Sequence, residues 1–505
     1  MTGTTVTGTT VTGTTATETA TAPNLLLLHC HDLGRFLGAY EVSTVVSPHL
    51  DALAAESVVF EQAFATAPHC SPARASLFTG TYPQTNGVLG LTHDPFGWDL
   101  NDPGSHLANR LRTAGYYTEL VGVHHESRVL PDDTVAARLG FDRVRSGGDR
   151  DAVVERTADA LDRAAAGNRP FYLQVGFHEP HRTPSRADAP GVMGFLGDKV
   201  RPDDSLGLTV PPYLHDSPGA REEIAELQGA VRQMDEGVGS ILARLDALGL
   251  REDTVVVFTT DHGLALPRAK CTLYDPGLEV ALMMRVPGRA GWSGRRVAPQ
   301  VSHVDVLPTL LELLELPRPG GLAGESLVPV VENGSAAREY CFGQLNHHIY
   351  YDPKRSVRTA RHKLVVNFSN APRAMDPTQS WVHRSLPSDL RGPTVATSPA
   401  VELYDLERDP HETHDVTADP AYGDVLAELA TALLAWMRET DDPLLTGTAL
   451  SDRHRDALAL LTGRGTDATG SLRRPVGPVG PHPGPGRPGV VAGPASATPR
   501  ERETA

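Results

Sequence analysis

The chain has 505 residues, enough for one large domain, a smaller one and tails. Charged residues make up 21% and hydrophobic residues 40%, the balance of an ordinary soluble globular chain. A net charge of −16 excludes general nucleic-acid binding, which needs a basic surface, but not an anionic ligand held in a locally positive pocket.

Residues 1–22 repeat a Thr/Gly-rich unit that offers little to bury, and they read as a disordered tail. The segment lacks the basic and apolar regions of a secretory signal, and no run reaches the ~18 apolar residues needed to cross a bilayer. Four cysteines, Cys30, Cys70, Cys271 and Cys341, are widely spaced without a CxxC pair. That pattern predicts reduced thiols in a cytoplasmic protein with no membrane partner.

From residue 23 onward, apolar β-rich runs alternate with helical patterns. Runs 24–30, 117–124, 171–178 and 254–261 read as buried strands. Segments 49–58, 105–115, 221–249 and 304–314 read as helices. The alternation predicts an α/β domain over 23–330 with a largely parallel central sheet flanked by helices. After the break near Pro317, short strands at 356–359, 363–368 and 401–406 and a helix at 422–438 predict a smaller α+β subdomain over 331–447 with an antiparallel sheet. Residues 448–505, Pro/Gly-rich from Gly465, read as a second tail.

The four buried runs all end in titratable residues. These are His29-Cys30-His31-Asp32, His124-His125-Glu126, His178-Glu179-Pro180-His181 and Asp261-His262-Gly263. In open α/β sheets, ligands bind outside the carboxyl ends of the strands, so one edge collects all four clusters. A single such cluster would be an ordinary solvated loop; four at equivalent places make a site. Asp32 and Asp261, with His31 and His262, form a candidate divalent-metal set. Carboxylates suit Ca²⁺ or Mg²⁺, whereas imidazoles shift preference towards Mn²⁺, Fe²⁺ or Zn²⁺.

The run Ala67-PHCSPARASLFTG-Thr81 predicts a helix with Ser71 as N-cap, Pro72 at its first position and Gly80 as its stop. Cys70 would sit just ahead of that helix, where the backbone N–H groups and the Arg74 cation favour a thiolate.

The segment Cys70-Ser71-Pro72-Ala73-Arg74, followed by Thr79-Gly80, resembles the modification signal of the sulfatase family. The resemblance recurs in Asp261-His262-Gly263 with Lys270 and Tyr274, and in Leu403-YDLERDPHE-Thr413. Within the family, His31-DLGR, Gly122-VHHE, Phe177-HEPHR, Asp261-HGLALPRAKCTLYDPG and His348-IYYDP look especially like bacterial relatives of heparan N-sulfatase. The resemblance covers residue 23 to about 438 and implies an alkaline phosphatase-like fold. It further implies that Cys70 is oxidised to formylglycine by a formylglycine-generating enzyme and that a divalent metal, Ca²⁺ first and Mn²⁺ or Mg²⁺ otherwise, is held by His31, Asp32, residue 70, Asp261 and His262. The substrate implied is a sulfated sugar, free or within an oligosaccharide, such as an N-sulfoglucosamine unit. One hydroxyl of the hydrated formylglycine attacks sulfur. Arg74 stabilises that nucleophile, Lys270 and His181 bind sulfate and assist the leaving group, and His125 removes the proton that lets the aldehyde return. His124, His178 and His348 are candidate substrate contacts, while Tyr274 and Asp275 read as braces for Lys270.

Two positions depart from the family pattern. His31 stands where most members have a second Asp, and Val123 stands where many have a Lys. Asp261-His262, in place of the common Asp-Asn, is similar to phosphonate and phosphodiester hydrolases of the same superfamily. The sequence therefore leaves three readings: a sulfatase, a phosphonate or phosphodiester hydrolase on the same scaffold, and an inactive sulfated-glycan-binding protein. It does not set the oligomeric state.

Overall fold

The computed structural model describes residues 22–183, 194–195, 200–335, 338–371, 397–451, 454–455 and 457–458. The tails expected at 1–22 and from 448 onward lie largely outside these residues, as does the whole Pro/Gly-rich run.

The core element is an eight-stranded sheet ordered Arg296–Val297, Val58–Phe60, Leu282–Arg285, Thr254–Thr260, Asn24–Cys30, Phe171–Gly176, Tyr117–Gly122 and Arg143–Ser146. Only Leu282–Arg285 runs antiparallel to its neighbours. The four apolar runs expected as strands are the four central parallel strands. Their continuous apolar character follows from burial on both faces. Leu25 and Leu27 enter a core with helices Cys70–Thr79, Leu107–Thr113 and Val306–Leu313. Leu26 and Leu28 enter a second core with Pro48–Ala55, Arg150–Ala165 and Pro218–Ala247. The parallel arrangement brings every carboxyl end named above to one edge.

A separate antiparallel sheet, Cys341–His347, Tyr351–Arg358, His362–Asn367 and Val401–Asp405, carries helix Gly423–Glu439. Leu429, Leu433 and Trp436 of that helix pack on Val357, Leu364 and Leu403. Tyr274 and Asp275 tie this sheet to the large domain. Tyr274 donates to Glu402 at 2.7 Å, and Asp275 receives Lys363 at 2.8 Å and Arg358 at 3.0 Å. They brace a domain junction rather than Lys270 alone. Among the described residues, no helix is long and apolar enough to cross a membrane.

Local signals explain the shifted boundaries. The long helix starts at Pro218, with Ser217 accepting the Ala220 N–H, a Ser-Pro start that the apolar periodicity alone overlooks. His106 caps Leu107–Thr113 by accepting the Ala108 N–H at Nδ1, although histidine is not a usual cap. The second strand of the small sheet begins at Tyr351, five residues before the expected 356, because the polar stretch Asp352–Arg355 is paired and buried there.

Candidate active site

Cys70 is the first residue of its helix, not the residue ahead of it. His69 is the N-cap, in extended backbone and without a side-chain cap bond. Ser71 does not cap, because its hydroxyl pairs with Thr92 Oγ1 and accepts the Thr92 N–H, both at 3.2 Å. Pro72 is then the third helical residue, where a missing N–H is tolerated because first-turn donors have no intrahelical partner. Gly80 ends the helix at φ 66°, as the sequence predicts.

The strand ends close around this helix start. After Cys30 the chain turns at Asp32, whose φ of 51° lies in the left-handed region. That turn lets consecutive residues His31 and Asp32 both face inward. Strand Thr254–Thr260 delivers Asp261 and His262 beside them. The Cys70 sulfur lies 3.4 Å from His262 Nε2, 3.7 Å from Lys270 Nζ and 3.9 Å from Asp32 Oδ1. Lys270 Nζ donates to both Asp32 oxygens, at 2.8 and 2.9 Å. His262 Nε2 lies 3.0 Å from Asp32 Oδ1 and 3.6 Å from Asp261 Oδ1. Arg74, from the second turn of the helix, donates Nε to Asp261 at 3.1 Å and meets His29 Nδ1 at 2.7 Å. The helix start thus supplies both Cys70 and the cation that fixes a carboxylate.

Charge balance holds this buried cluster together. Burial alone would raise the pKa of each carboxyl. Lys270, His181 and His262 instead hold Asp32 well below the usual range, and His262, Arg74 and His31 do so for Asp261. Burial disfavours the charged His262 ring, but Asp261, the Cys70 thiol and Asp32 lift its pKa to about 10. Lys270 is raised against the pull of burial, chiefly by Asp32.

Imidazoles line the open side. His31 has ring centroids of His125, His178 and His181 at 6.1, 5.8 and 5.1 Å. His181 Nδ1 meets the Arg182 carbonyl at 2.6 Å, which leaves Nε2, 3.7 Å from Asp32, as the atom facing the cluster. Burial lowers its pKa to about 4. His125 is held by its N–H to Glu126 at 2.9 Å and by its carbonyl to Thr92 at 3.1 Å. Burial, then His93 and Arg74, puts its ring well below the ordinary pKa.

Of the candidates drawn from sequence, the structure brings together His31, Asp32, Cys70, Arg74, Asp261, His262 and Lys270, with His125, His178 and His181 along one side. His348 lies beside His69 at a 5.5 Å ring separation, and burial lowers the pKa of both, so it is not simply packed against Tyr350 and Tyr351. His124 is not brought in; its Nε2 pairs with Ser127 at 3.2 Å within its own loop. Sequence reasoning missed His29, the partner of Arg74, and His93, whose Nδ1 lies 2.9 Å from His125 Nε2. His29 stood inside the first cluster, so strand alternation with His31 could have found it. No local signal marks His93.

The donor set fits a divalent cation. Ligand atoms of Asp32, residue 70, Asp261 and His262 lie within 4.8 Å of one another, and a second overlapping group adds His31 and His181. His262 Nδ1 meets the Gly263 carbonyl at 2.9 Å, so Nε2 faces the cluster and would offer its lone pair once a cation displaces the Nε2 proton. His31 Nδ1 is buried 3.1 Å from Asp261 Oδ2.

Comparison with known proteins agrees with this geometry. The Sulfatase family profile matches residues 23–316, and the profile of the N-sulphoglucosamine sulphohydrolase C-terminal region matches residues 265–376. Human N-sulphoglucosamine sulphohydrolase is 32% identical over 461 residues, covering 83% of this chain and 91% of that protein. An ulvan-active sulfatase of Formosa agariphila is 26% identical, covering 83% and 75%. Among solved structures, one in complex with its substrate D-glucosamine-2-N,6-O-disulfate superposes with a TM-score of 0.63 at 16% identity, covering 83% of this chain and 98% of that one. The phosphonate monoester hydrolase of Agrobacterium radiobacter gives a TM-score of 0.60 at 22% identity, covering 85% and 98%.

Proposed function

The chain belongs to the sulfatase family and is a sulfuric ester hydrolase, and from that premise we propose that it cleaves sulfate from a sulfated amino sugar, with an N-sulfoglucosamine-like unit as the preferred substrate. The observation that carries this reading is the place of residue 70, at the head of a buried helix and within 3.4–3.9 Å of His262, Lys270 and Asp32. The match to the N-sulphoglucosamine sulphohydrolase C-terminal region and the 32% identity to the human sulphohydrolase support the amino-sugar substrate.

The family implies a divalent metal and a formylglycine made from Cys70, so the Cys70 sulfur marks where an oxygen of that group would stand. Formylglycine supplies a geminal diol, in which one hydroxyl is the nucleophile and the other lets the aldehyde return. Asp32, Asp261, His262 and residue 70 would hold the cation, which polarises sulfate oxygens. Calcium is the ion the family resemblance favours.

The remaining steps fall to this chain's own side chains. Arg74, fixed between Asp261 and His29, keeps the Asp261 carboxylate ionised and oriented. Lys270 presents an ammonium that neutralises a sulfate oxygen and can give a proton to the departing nitrogen or oxygen. His181, neutral with Nε2 inward, accepts a hydrogen bond from the leaving sugar. His125, neutral at pH 7, takes the proton when sulfate departs. His178 and His348 flank the cluster where the sugar would lie.

Maturation by a formylglycine-generating enzyme and a cytoplasmic location belong to the same proposal. Peptide mass spectrometry at Cys70 after coexpression with that enzyme, paired with turnover of N-sulfated and O-sulfated glucosamine, tests it. Persistent activity with an unmodified thiol would overturn the mechanism. His262 favours a second reading, a phosphonate or phosphodiester hydrolase, which a larger kcat/KM for an aryl phosphodiester than for either sulfated sugar would establish.

A further inference from the structure

We infer that the cation site is a mixed nitrogen–oxygen site that selects Mn²⁺ over Ca²⁺. The inference deepens the proposed function and rests on it only in placing a cation at residue 70, Asp32, Asp261 and His262.

Oxygen supply is the first ground. Calcium takes six to eight oxygen ligands at about 2.3–2.6 Å. The two carboxylates offer four oxygens, and all four are already engaged by protein donors. Lys270 Nζ occupies both Asp32 oxygens, at 2.8 and 2.9 Å. Asp261 Oδ1 accepts the Asp32 and His262 N–H groups at 3.0 and 2.9 Å, and Asp261 Oδ2 accepts Arg74 Nε at 3.1 Å. Each can still offer a lone pair to a cation, but none is free to swing into a two-oxygen clasp. The Gly263 carbonyl is taken by His262 Nδ1. A calcium ion would lack protein oxygens for its usual shell.

Nitrogen supply is the second ground. His262 has its tautomer set by Gly263 and its Nε2 directed at Asp32 and residue 70, the orientation of a metal-ligating imidazole. His31 is 2% exposed, and its Nδ1 lies 3.1 Å from Asp261 Oδ2, so a second imidazole stands against the carboxylate. His262 grouped with Asp32 and Asp261, and His31 in the overlapping group with Asp32, suit Mn²⁺, which accepts both oxygen and nitrogen, and are poorly matched to Ca²⁺.

The test reads metal, not turnover. The full-length protein is stripped with chelator and dialysed against equal free Mn²⁺ and Ca²⁺, and retained metal is measured by mass spectrometry. Pulsed electron paramagnetic resonance then detects nitrogen bound to Mn²⁺. Expected are one Mn²⁺ per chain, a preference of at least roughly tenfold over Ca²⁺, and a ¹⁴N modulation that weakens in His262→Asn and again in the His31→Asp, His262→Asn double variant. The double variant should lose most of the Mn²⁺ preference. Equal or tighter Ca²⁺ retention by the wild-type protein overturns the inference, as does bound Mn²⁺ without ¹⁴N modulation or the absence of any bound metal. The wild-type measurements stand even where a variant does not fold. Mn²⁺ selectivity without turnover of any sulfated sugar would overturn the proposed function and leave this inference intact.

Discussion

His93 Nδ1 and His125 Nε2 lie 2.9 Å apart, in rings whose planes differ by 21° and whose centroids are 5.1 Å apart. Face-to-face stacking would bring the centroids closer at this tilt. The separation matches a nitrogen–nitrogen hydrogen bond with the two rings nearly coplanar and end to end. His125 Nδ1 is buried without a hydrogen-bond partner, so its two nitrogens have different tasks. One is tied to His93, and the other, with the ring proton on Nε2, carries the lone pair that the proposed mechanism needs.

Replacing His93 should therefore disturb His125 without touching substrate. His93→Ala is expected to lower kcat by about tenfold with little change in KM, a part of the roughly 10²–10⁴-fold that a positioned base contributes. His93 is one of the groups that lower the His125 pKa. Its loss should move the acid limb of the pH–rate profile to higher pH, because His125 acts in its neutral form. An unchanged profile would show that His93 only packs.

Cys70→Ala should abolish turnover, by at least about 10³-fold, as removal of a covalent nucleophile does. The side chain is small and buried, and its neighbours keep their own partners, so thermal unfolding should be nearly unchanged. Residual activity within tenfold of the parent would contradict a covalent role for residue 70.

Arg74 is buried, and its guanidinium serves Asp261, His29 and the Cys30 carbonyl. Arg74→Met leaves the Asp261 charge underpaired in the interior and should cost about 3–5 kcal/mol, read from urea or guanidinium midpoints. Arg74→Lys should recover part of that stability but little activity, because an ammonium cannot serve three acceptors in the guanidinium plane.

Buried neutral histidines should make the fold acid-sensitive. Burial lowers the His303 pKa to about 4, against opposing pulls from Asp261. The folded value lies below the unfolded one, so the unfolded chain binds the proton more readily. The stability is fully present above about pH 6.5 and is lost as pH falls towards 4, on the order of 3 kcal/mol for this group. His303→Gln should flatten the loss between pH 6.5 and 4 in denaturation series; an equally steep curve would assign the acid sensitivity to other groups.

Much of the site was legible in the sequence because the strands there are written in apolar runs. Asn24–Cys30 and Thr254–Thr260 are continuous hydrophobic segments, and that continuity already implies burial on both faces and a parallel sheet. Once the sheet is parallel, Asp32, His125, His181 and Asp261 must meet at one edge. Boundaries were less legible where polar residues are buried by tertiary partners, as in the Asp352–Arg355 stretch that the strand Tyr351–Arg358 includes.

The sequence by itself determined the class of the fold, the candidate nucleophile and the carboxylates beside it, since apolar periodicity and the Cys70-Ser71-Pro72-Ala73-Arg74 run are local properties of the chain. Only the tertiary structure decided that Cys70 opens its helix, because Ser71 is drawn away to Thr92 from a different loop. It alone paired His93 with His125, turned His124 aside and brought His31 and His262 nitrogens against the Asp32 and Asp261 carboxylates. Those outcomes depend on donor and acceptor atoms from segments far apart in the chain meeting within about 3 Å, and no spacing along the sequence encodes such a meeting.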